Sequence, residues 1–555
     1  VASGGNEQLR MEWTLRTEPS GHALTDTHQT AFETVADLYH HQNPAELSTF
    51  QRRAEQVEPW FPPARRAAVV ARLRAYMETL GAPAASLQLL EKLLDPRSVA
   101  VVTGQQAGLF TGPMYAIHKA LSAIGLAEQL EASLQRPVVP VFWVASEDHD
   151  WGEVNHAYIL DSDESVRMLR LSQEVPLHQM VYHTRLMPGS VEAVLTEAHQ
   201  RLPEAPYKAD VLNTLRQLYD DGMTMSDWFA RQLLSVLGER GIVLIDPCVP
   251  GLRELAAPVW KHALEQVDAV QDELEKVYRA VEARGFQPVV VRDADHSTVF
   301  YVEDGKRYVL ERTRSGFLGV RGRGIEKTVA EWVSLAEEEP TRFSANVLLR
   351  PVVQDHLLPT LAYVGGPAEL AYHPLSGAVF QCHGRSLPPL LLRHRVRLVP
   401  PTVRRHMAKW GLTLEQLSAP LNVSDWLRTR LQGSVLEDAV AQLKSDTEAR
   451  WRRWIEQFDH VGPQIRELTE RHIARELEGI ERVARKTKRQ FELQHAAELR
   501  QLNHVNRWLW TDGHPQERRL SPLNVWTRYG LEWLVSAPFW RTSPLHLAAL
   551  DVSFE

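Results

Sequence analysis

Cysteine is nearly missing from this 555-residue sequence. Only Cys248 and Cys382 occur, so there is no disulfide framework, and the scarcity suits a reducing compartment. Neither reads as a nucleophile: Cys248 follows Asp246-Pro247 with no base nearby in sequence, and Cys382-His383 offers only adjacency. Long hydrophobic runs are missing too. None approaches the ~18 apolar residues of a membrane span, and the start carries no signal-peptide pattern. With the cysteine usage, this points to the cytoplasm. Positive charge is not in excess: the net charge of −8 argues against a general nucleic-acid binder and leaves only local basic patches open. What is there is ordinary globular composition, with 44% apolar and 24% charged residues, which excludes overall disorder. The length calls for two or three domains. Residues 1–10 read as an upstream extension before a native start at Met11.

The most informative stretch runs from Val99 to Asn155. Val99–Val102 is short, β-branched and unalternated, as in a strand buried on both faces of a parallel sheet. A turn rich in Gly, Thr and Gln follows, Thr103 to Pro113, and then apolar residues at helical spacing from Met114 to Leu130. A second buried strand, Val138–Ala145, ends in Ser146-Glu147-Asp148-His149-Asp150. This is a strand–loop–helix–strand unit of the doubly wound kind, with polar groups past the carboxyl ends of both strands, where such sheets bind ligands. Gly104, Gly108 and Gly112 permit close backbone approach, and free N–H groups at the helix start attract an anion. Tyr115 and His118 lie three apart on one helix face, with Lys119 beside them. The competing reading is a tight turn with a half-buried histidine.

Before this stretch, residues 11–94 read as a helical part of the same core, stopped by Asp95-Pro96. After it, Ala157–Leu160 reads as a third strand, and regions near 161–225 and 292–340 interrupt the strand–helix rhythm as insertions. Between them lie a helix capped by Ser226, a buried strand Gly241–Ile245 ending in Asp246, a helix Leu252–Arg284 and a strand Val289–Val291. Asp246 is a site candidate or a cap for the helix after Pro250. Thr298–Glu303 and Tyr308–Glu311 read as a hairpin about Glu303-Asp304-Gly305-Lys306. A second chemical stretch spans Asn346 to Tyr372. Apolar pieces there end at Arg350, Gln354, Asp355, Gly365, Gly366 and Glu369, with Tyr363 between and Tyr372 beyond. Arg350 is a bidentate clamp for carboxylate or phosphate, and Glu369 a partner for an amine. An internal ion pair across Arg350–Asp355 is the equal alternative.

Residues 425–512 shift to Glu, Arg, Gln, Ala and Leu, with apolar positions at alternating fours and threes and a break at Gly462-Pro463. The pattern is two long helices in an antiparallel coiled-coil arm. Its basic run from Arg482 to Arg489 reads as a solvated face balanced by Glu476, Glu478 and Glu481. The aromatic-rich segment 513–555 reads as returning to the core.

The densest ionisable cluster is Glu147, Asp148, His149 and Asp150, with Asn155 and His156 close by. As a substrate site it offers His149 for general acid/base work and carboxylates to hold an amine. As structure, Asp148 or Asp150 caps the next helix. The residue types also suit a metal, but no further ligand set is visible, and no metal is assigned.

Two resemblances enter here. Gly112-x-x-Tyr115-x-x-His118 resembles a degenerate form of the nucleotide-binding signature of class I aminoacyl-tRNA synthetases, with Tyr115 in place of the first His and Ile117 in place of Gly. No KMSKS-like loop accompanies it, although Arg393-His394-Arg395 stands where a substitute is conceivable. The longer string T-G-Q-Q-A-G-L-F-T-G-P-M-Y-A-I-H-K, with F-W-V-A-S-E-D-H-D, resembles the bacillithiol biosynthesis cysteine-adding enzymes. The likeness runs from about Met11 to the end and includes the second stretch, P-Q-E-R at 515–518 and Tyr529-Gly530.

That resemblance implies an α/β fold: a Rossmann-like doubly wound parallel sheet with connecting-peptide insertions over 95–424, plus the arm, used in homodimerisation. It implies a ligase adding cysteine to the amine of glucosaminyl-malate through nucleotide-dependent activation, with ATP or ADP as cofactor. In that mechanism an acyl-adenylate or acyl-phosphate lies over the turn from Gly104 to Lys119, which includes Gln105, Gln106, Thr111 and Gly112. His118 and Lys119 stabilise phosphate charge. Tyr115 and Glu147–Asp150 place amino groups, Arg350 holds a malyl carboxylate, and His149 takes the amine proton. Gln516, Arg518 and Tyr529 form a nucleotide-accepting pocket where arm meets core. A non-catalytic nucleotide-binding scaffold and a tRNA-dependent aminoacyl transfer enzyme are the alternatives.

Overall fold

The computed structural model describes residues 11–554 apart from 239, 433–434, 536 and 543–546; the expected extension at 1–10 lies outside the described residues. The chain divides into two units. One joins Met11–Leu398 to Gln516–Val552, and the other is built on Val399–Pro515.

The first unit is organised by a five-stranded parallel sheet: β1 (Val99–Gln105), β2 (Val138–Val144), β3 (Val243–Ile245), β4 (Thr360–Gly365) and β5 (Leu390–Leu392), in the order β5-β4-β1-β2-β3. Every residue of β2 and β4 is buried, which is why these segments lack alternation. Helix α1 (Tyr115–Leu134) makes the crossover from β1 to β2. Its Ala123, Ala127 and Leu130 pack on Val99, Val101, Val138 and Leu361 of the sheet. Two glycines here are steric necessities. A Cβ on Gly104 would stand 2.7 Å from the Trp143 carbonyl oxygen, and one on Gly125 would stand 1.9 Å from that of Trp540, in the returning C-terminal segment.

Chain order reverses between β1 and β4. The side chain of Thr103 fastens that junction by donating to the Val364 carbonyl at 2.7 Å. Two helices leave from the β4 side: α2 (Arg350–Leu357), just before the strand, and α3 (Pro367–Cys382), just after it.

Helix α3 runs through Pro374 instead of stopping there. A proline cannot donate to the carbonyl four residues back, which here is Leu370. Tyr39, from the N-terminal segment, supplies the missing donor: its hydroxyl lies 3.0 Å from the Leu370 oxygen, fully buried.

Several local expectations change. Ala157–Leu160 falls in strand His156–Leu160, which pairs with Val166–Arg170 as a separate hairpin and not in the parallel sheet. The helix cap is Thr224, whose side chain accepts from the Asp227 amide, and not Ser226. Leu252–Arg284 is three helices, Pro250–Leu255, Ala257–Glu265 and Val267–Ala283. Val289–Val291 is no strand; Val291 is 88% exposed, and Tyr278 holds this irregular segment by its carbonyls. Asp246 does not cap the next helix, since it accepts from Ser146 and the Cys248 amide. The hairpin at 303–306 forms with positive φ at both Asp304 and Gly305 and belongs to a five-stranded antiparallel sheet that includes Lys306–Arg314 and Phe343–Ala345.

In the second unit, α4 (Val435–Gln457) and α5 (Pro463–Gln494) lie antiparallel. Lys444 meets Glu481 at 2.6 Å and Trp451 meets Glu476 at 2.8 Å, so residue numbers rise on one helix as they fall on the other. Gly462 takes a φ of 117° and Pro463 opens α5. Arg482, Arg485 and Lys488 pair with Glu478, Glu481 and Asp425, so this basic face is internally balanced.

Tyr39→Phe strands the Leu370 carbonyl and lowers stability by about 1–3 kcal/mol. In a Pro374→Ala background residue 374 regains its N–H, and the Tyr39→Phe penalty disappears. Urea midpoints of the four proteins in this cycle measure the coupling.

Candidate active site at the strand-order reversal

Doubly wound sheets leave a crevice at the carboxyl ends of the two strands where chain order reverses. Between β1 and β4 it is a cavity of about 360 Å³. Gly104, Gln105 and Gln106 reach it from the end of β1, and Tyr115 and Lys119 from the first turns of α1. Trp143, Ala145, Glu147 and Asp148 come from the end of β2, and Tyr363, Gly366, Glu369 and Tyr372 from β4 and α3. The two chemical stretches, the first ending at Asn155 and the second beginning at Asn346, therefore share one cavity.

Lys119 joins them. Its ammonium donates to the Gly104 carbonyl at 2.7 Å and the Gln105 side chain at 3.1 Å, and it pairs with Glu369. An ammonium has three protons, and here all three have protein acceptors. Glu369 is equally occupied, accepting from the Tyr363 hydroxyl at 2.5 Å and the Gly366 amide at 2.7 Å. Burial works to raise its pKa, but Lys119 and these donors outweigh burial and hold it at about 2. Burial lowers the Lys119 pKa, with Glu369 opposing. Lys119 is thus a suture across the reversal, not a free phosphate ligand.

Arg350 has the opposite situation. The alternative of an Arg350–Asp355 ion pair is not realised. Asp355 is interior and bonds to Arg53 and to Arg385 at 2.8 Å, away from the cleft. Arg350 donates to Gln354 at 3.1 Å and lies over the rings of Trp143 and Tyr363. Its pKa is raised; burial opposes this, and Tyr363, Tyr372 and Glu369 outweigh burial. Among the described residues no carboxylate lies within ion-pair distance of Arg350, Arg307 or Arg518, which all line the cleft.

Other expected site residues lie elsewhere. His118 is buried against Trp540 and bonds through Nδ1 to Glu517 at 2.9 Å, and it does not line the cavity. Burial lowers its pKa, with Glu517 opposing. His149 meets His178 with the rings tilted by 46° and does not line the cavity. Burial and Arg307 lower its pKa. Asp150 caps the short helix Trp151–Val154, and Asn155 ends that helix and contacts His156. Thr111 and Gly112 keep positive φ values of 65° and 75° in the turn, but neither faces the cavity, and Gly365 supports it from one residue behind Gly366. Gln354 touches the site only through Arg350. Gln516 spends its amide on the Leu398 backbone in both directions, and the Tyr529 ring meets Trp533. Of that expected nucleotide trio only Arg518 reaches the cleft.

The sequence reading missed Trp143, Arg307, Asn346 and Val347, and gave Arg393 no more than a conjectural part. Arg307 arrives from the antiparallel sheet, stacked on Phe300 and bonded to Ser344 at 2.9 Å. Arg393 arrives from the end of β5 and lies over Tyr115. Glu517 grips it bidentately at 2.8 and 2.7 Å while also accepting from His118 and the Val396 amide. Burial opposes ionisation of Glu517, yet Arg393 and His118 keep its pKa far below the usual carboxylate range. Among the described residues no group of three or more His, Cys, Asp or Glu is arranged for a metal, and no helix is long and apolar enough to cross a membrane.

Residues 11–394 match a family model described as "Bacillithiol biosynthesis BshC, N-terminal Rossmann-like domain", and residues 396–537 match its companion, "Bacillithiol biosynthesis BshC, C-terminal coiled-coil domain". A protein of Symbiobacterium thermophilum named "Putative cysteine ligase BshC" is 34% identical over 502 residues, 87% of this chain and 89% of that protein. Proteins of the same name from Salinibacter ruber and Bacillus cytotoxicus are 31% identical over 508 residues and 29% over 476. The first of these two alignments covers 90% of both chains; the second covers 84% of this chain and 87% of the relative.

Beneath the cleft, Asp246 is wholly buried, accepting from Ser146 at 2.5 Å and the Cys248 amide at 2.9 Å. Burial raises its pKa to about 7 against those donors. A carboxyl whose folded pKa exceeds its unfolded value favours folding while protonated, and that advantage is lost as pH rises from about 4 through about 7. Asp246→Asn therefore raises the melting temperature at pH 8 relative to wild type and confers no gain at pH 4, measured by thermal melts across that range.

Proposed function

Because the chain belongs to the bacillithiol biosynthesis BshC family, whose two domain models match residues 11–394 and 396–537, we propose that it is a ligase joining L-cysteine to the amine of glucosaminyl-malate. This is the final step of bacillithiol biosynthesis. The observation that carries the reading is the charge of the cleft. Arg307, Arg350 and Arg518 face it without a carboxylate within ion-pair distance among the described residues, and Glu147 and Asp148 line it as well. Such a surface suits ligands that bear both acids and amines.

Arg350 and Tyr372 flank the opening of α3, where Gly366, Pro367 and Ala368 line the cavity. A carboxylate of the malyl group gains there from the guanidinium fork and from the helix N-terminus. Glu147 and Asp148 take amino groups. Forming an amide from a free carboxylate needs activation, and ATP would supply it as the source of a phosphate leaving group. Arg518 fits a phosphate of ATP; Gln516 and Tyr529 do not, because their polar and ring contacts are already made within the protein.

The arm supports a homodimer. Leu443 of α4 and Val483 of α5 are 52% and 65% exposed, and with Leu436, Val440 and Ile480 they border one apolar groove. A second copy of the same arm has the matching apolar stripe.

Arg350→Ala raises KM for glucosaminyl-malate about 10- to 150-fold, the range of a charge-assisted hydrogen bond, with a smaller change in kcat. Arg350→Lys does not restore affinity, because an ammonium lacks the planar fork. Steady-state assays with cysteine, ATP and glucosaminyl-malate read both values, and a wild-type protein that forms no amide from these three overturns the reading. Leu443→Lys with Val483→Lys converts a dimer to a monomer in light scattering while leaving the helical circular dichroism intact; a wild-type monomer at tens of micromolar removes the dimer.

A further inference from the structure

We infer that Glu147, and not His149, accepts the proton released when the acceptor amine forms the new amide bond. The inference rests on the ligase reading above. It follows from how the other ionisable groups facing the cavity are occupied.

Lys119 has acceptors for all three of its protons, and Glu369 is saturated by Lys119, Tyr363 and the Gly366 amide. Asp148 accepts from the Gln106 side chain at 2.6 Å and the His149 amide at 2.7 Å. The phenols of Tyr115 and Tyr372 are held protonated by burial. His149 does not line the cavity.

Glu147 differs from all of these. It lines the cavity and is 7% exposed, yet its Oε1 receives only a long contact from the Ala345 amide, 3.4 Å, with the Arg253 guanidinium at 3.8 Å. Among the described residues Oε2 has no hydrogen-bond donor. A carboxylate oxygen without a donor, on a side chain that lines a cavity, is open to a ligand N–H. Arg253, itself anchored by donating to the Thr341 carbonyl at 2.7 Å, approaches Oε1 and leaves Oε2 without a partner among the described residues.

The step balances as follows. The lone pair of the neutral acceptor amine attacks the carboxyl carbon of cysteine, present as a mixed anhydride with phosphate. The C–N bond forms, the C–O bond to the leaving group breaks, and its electron pair departs on the phosphate oxygen. The nitrogen gives up one proton, which passes to Glu147 Oε2, leaving a neutral amide and a protonated carboxyl that bulk water then deprotonates.

The test uses the full chain, with amide product measured from cysteine, ATP and glucosaminyl-malate, and glucosaminyl-malate binding measured by calorimetry. Glu147→Gln keeps the size of the side chain and removes its basicity. It is expected to lower kcat at least 100-fold, to flatten the acid limb of the pH–rate profile and to weaken Kd by a much smaller factor than it lowers kcat. Glu147→Asp, checked for an unchanged melt, recovers part of the rate and the acid limb. Glu147→Gln retaining more than a tenth of the wild-type kcat, or a His149→Asn rate loss exceeding that of Glu147→Gln, overturns the assignment while the ligase reading stands. A wild-type chain that makes no amide brings down both.

Discussion

The pair between buried Lys119 and half-buried Glu369 is the contact on which the cleft depends. It spans the line where strand order reverses, tying the end of β1 and the first turns of α1 to the first turn of α3. Lys119 is not tolerable alone in that position. Removing Glu369 costs up to about 3–5 kcal/mol, chiefly because the lysine stays buried without its carboxylate. The pair also fixes its neighbours: Gln105 reaches Tyr115 at 2.9 Å, and Glu369 takes the Tyr363 hydroxyl that Arg350 approaches at 3.4 Å. Geometry around the cavity is thus set by one electrostatic bond between segments far apart in sequence.

The same segment α3 is held from its other side by a different solution to a similar problem. Pro374 removes a helix bond one turn into the element that carries Glu369 and Tyr372, and Tyr39 replaces it from outside. His373 adds a bond from its ring to the Glu369 carbonyl at 2.6 Å. A helix that met its own hydrogen-bonding needs would require neither. Here the N-terminal segment is part of the site's support, although no residue of it faces the cavity.

Sequence pattern was informative wherever a property is local. Strands β1 and β2 were visible because a strand covered on both faces must be apolar throughout, and the arm because its seam repeats in threes and fours. The turn at Asp304-Gly305 was visible because both positions require positive φ. Val289–Val291 misled for the complementary reason. β-branched residues imply a strand only where a neighbouring strand exists to pair with, and that segment has none, being held by Tyr278 instead. Nothing local to Pro374 shows how a helix can run through it, because the remedy, Tyr39, lies 335 positions earlier.

The site shows the limit more sharply. The pattern located Gln105, Tyr115, Glu147, Arg350 and Glu369 on one cavity, since each stands at the end of a recognisable strand or in the first turns of the helix beside it. It could not rank the cations. Lys119, Arg350 and Arg393 are all basic residues at the mouth of a doubly wound sheet, and residue type gives each the same claim on an anion. Their partners divide them. Lys119 is consumed by Glu369, and Arg393 is gripped by Glu517 from the last 40 residues of the chain, whereas the carboxylate nearest to Arg350 in sequence, Asp355, is taken by Arg53 and Arg385. Arg350 therefore faces the cavity with its charge uncompensated because two other arginines hold the acid that would have neutralised it. A cation's availability to a ligand is decided by competition for carboxylates across the whole fold, so it is a property of tertiary structure that no motif at the site itself can encode.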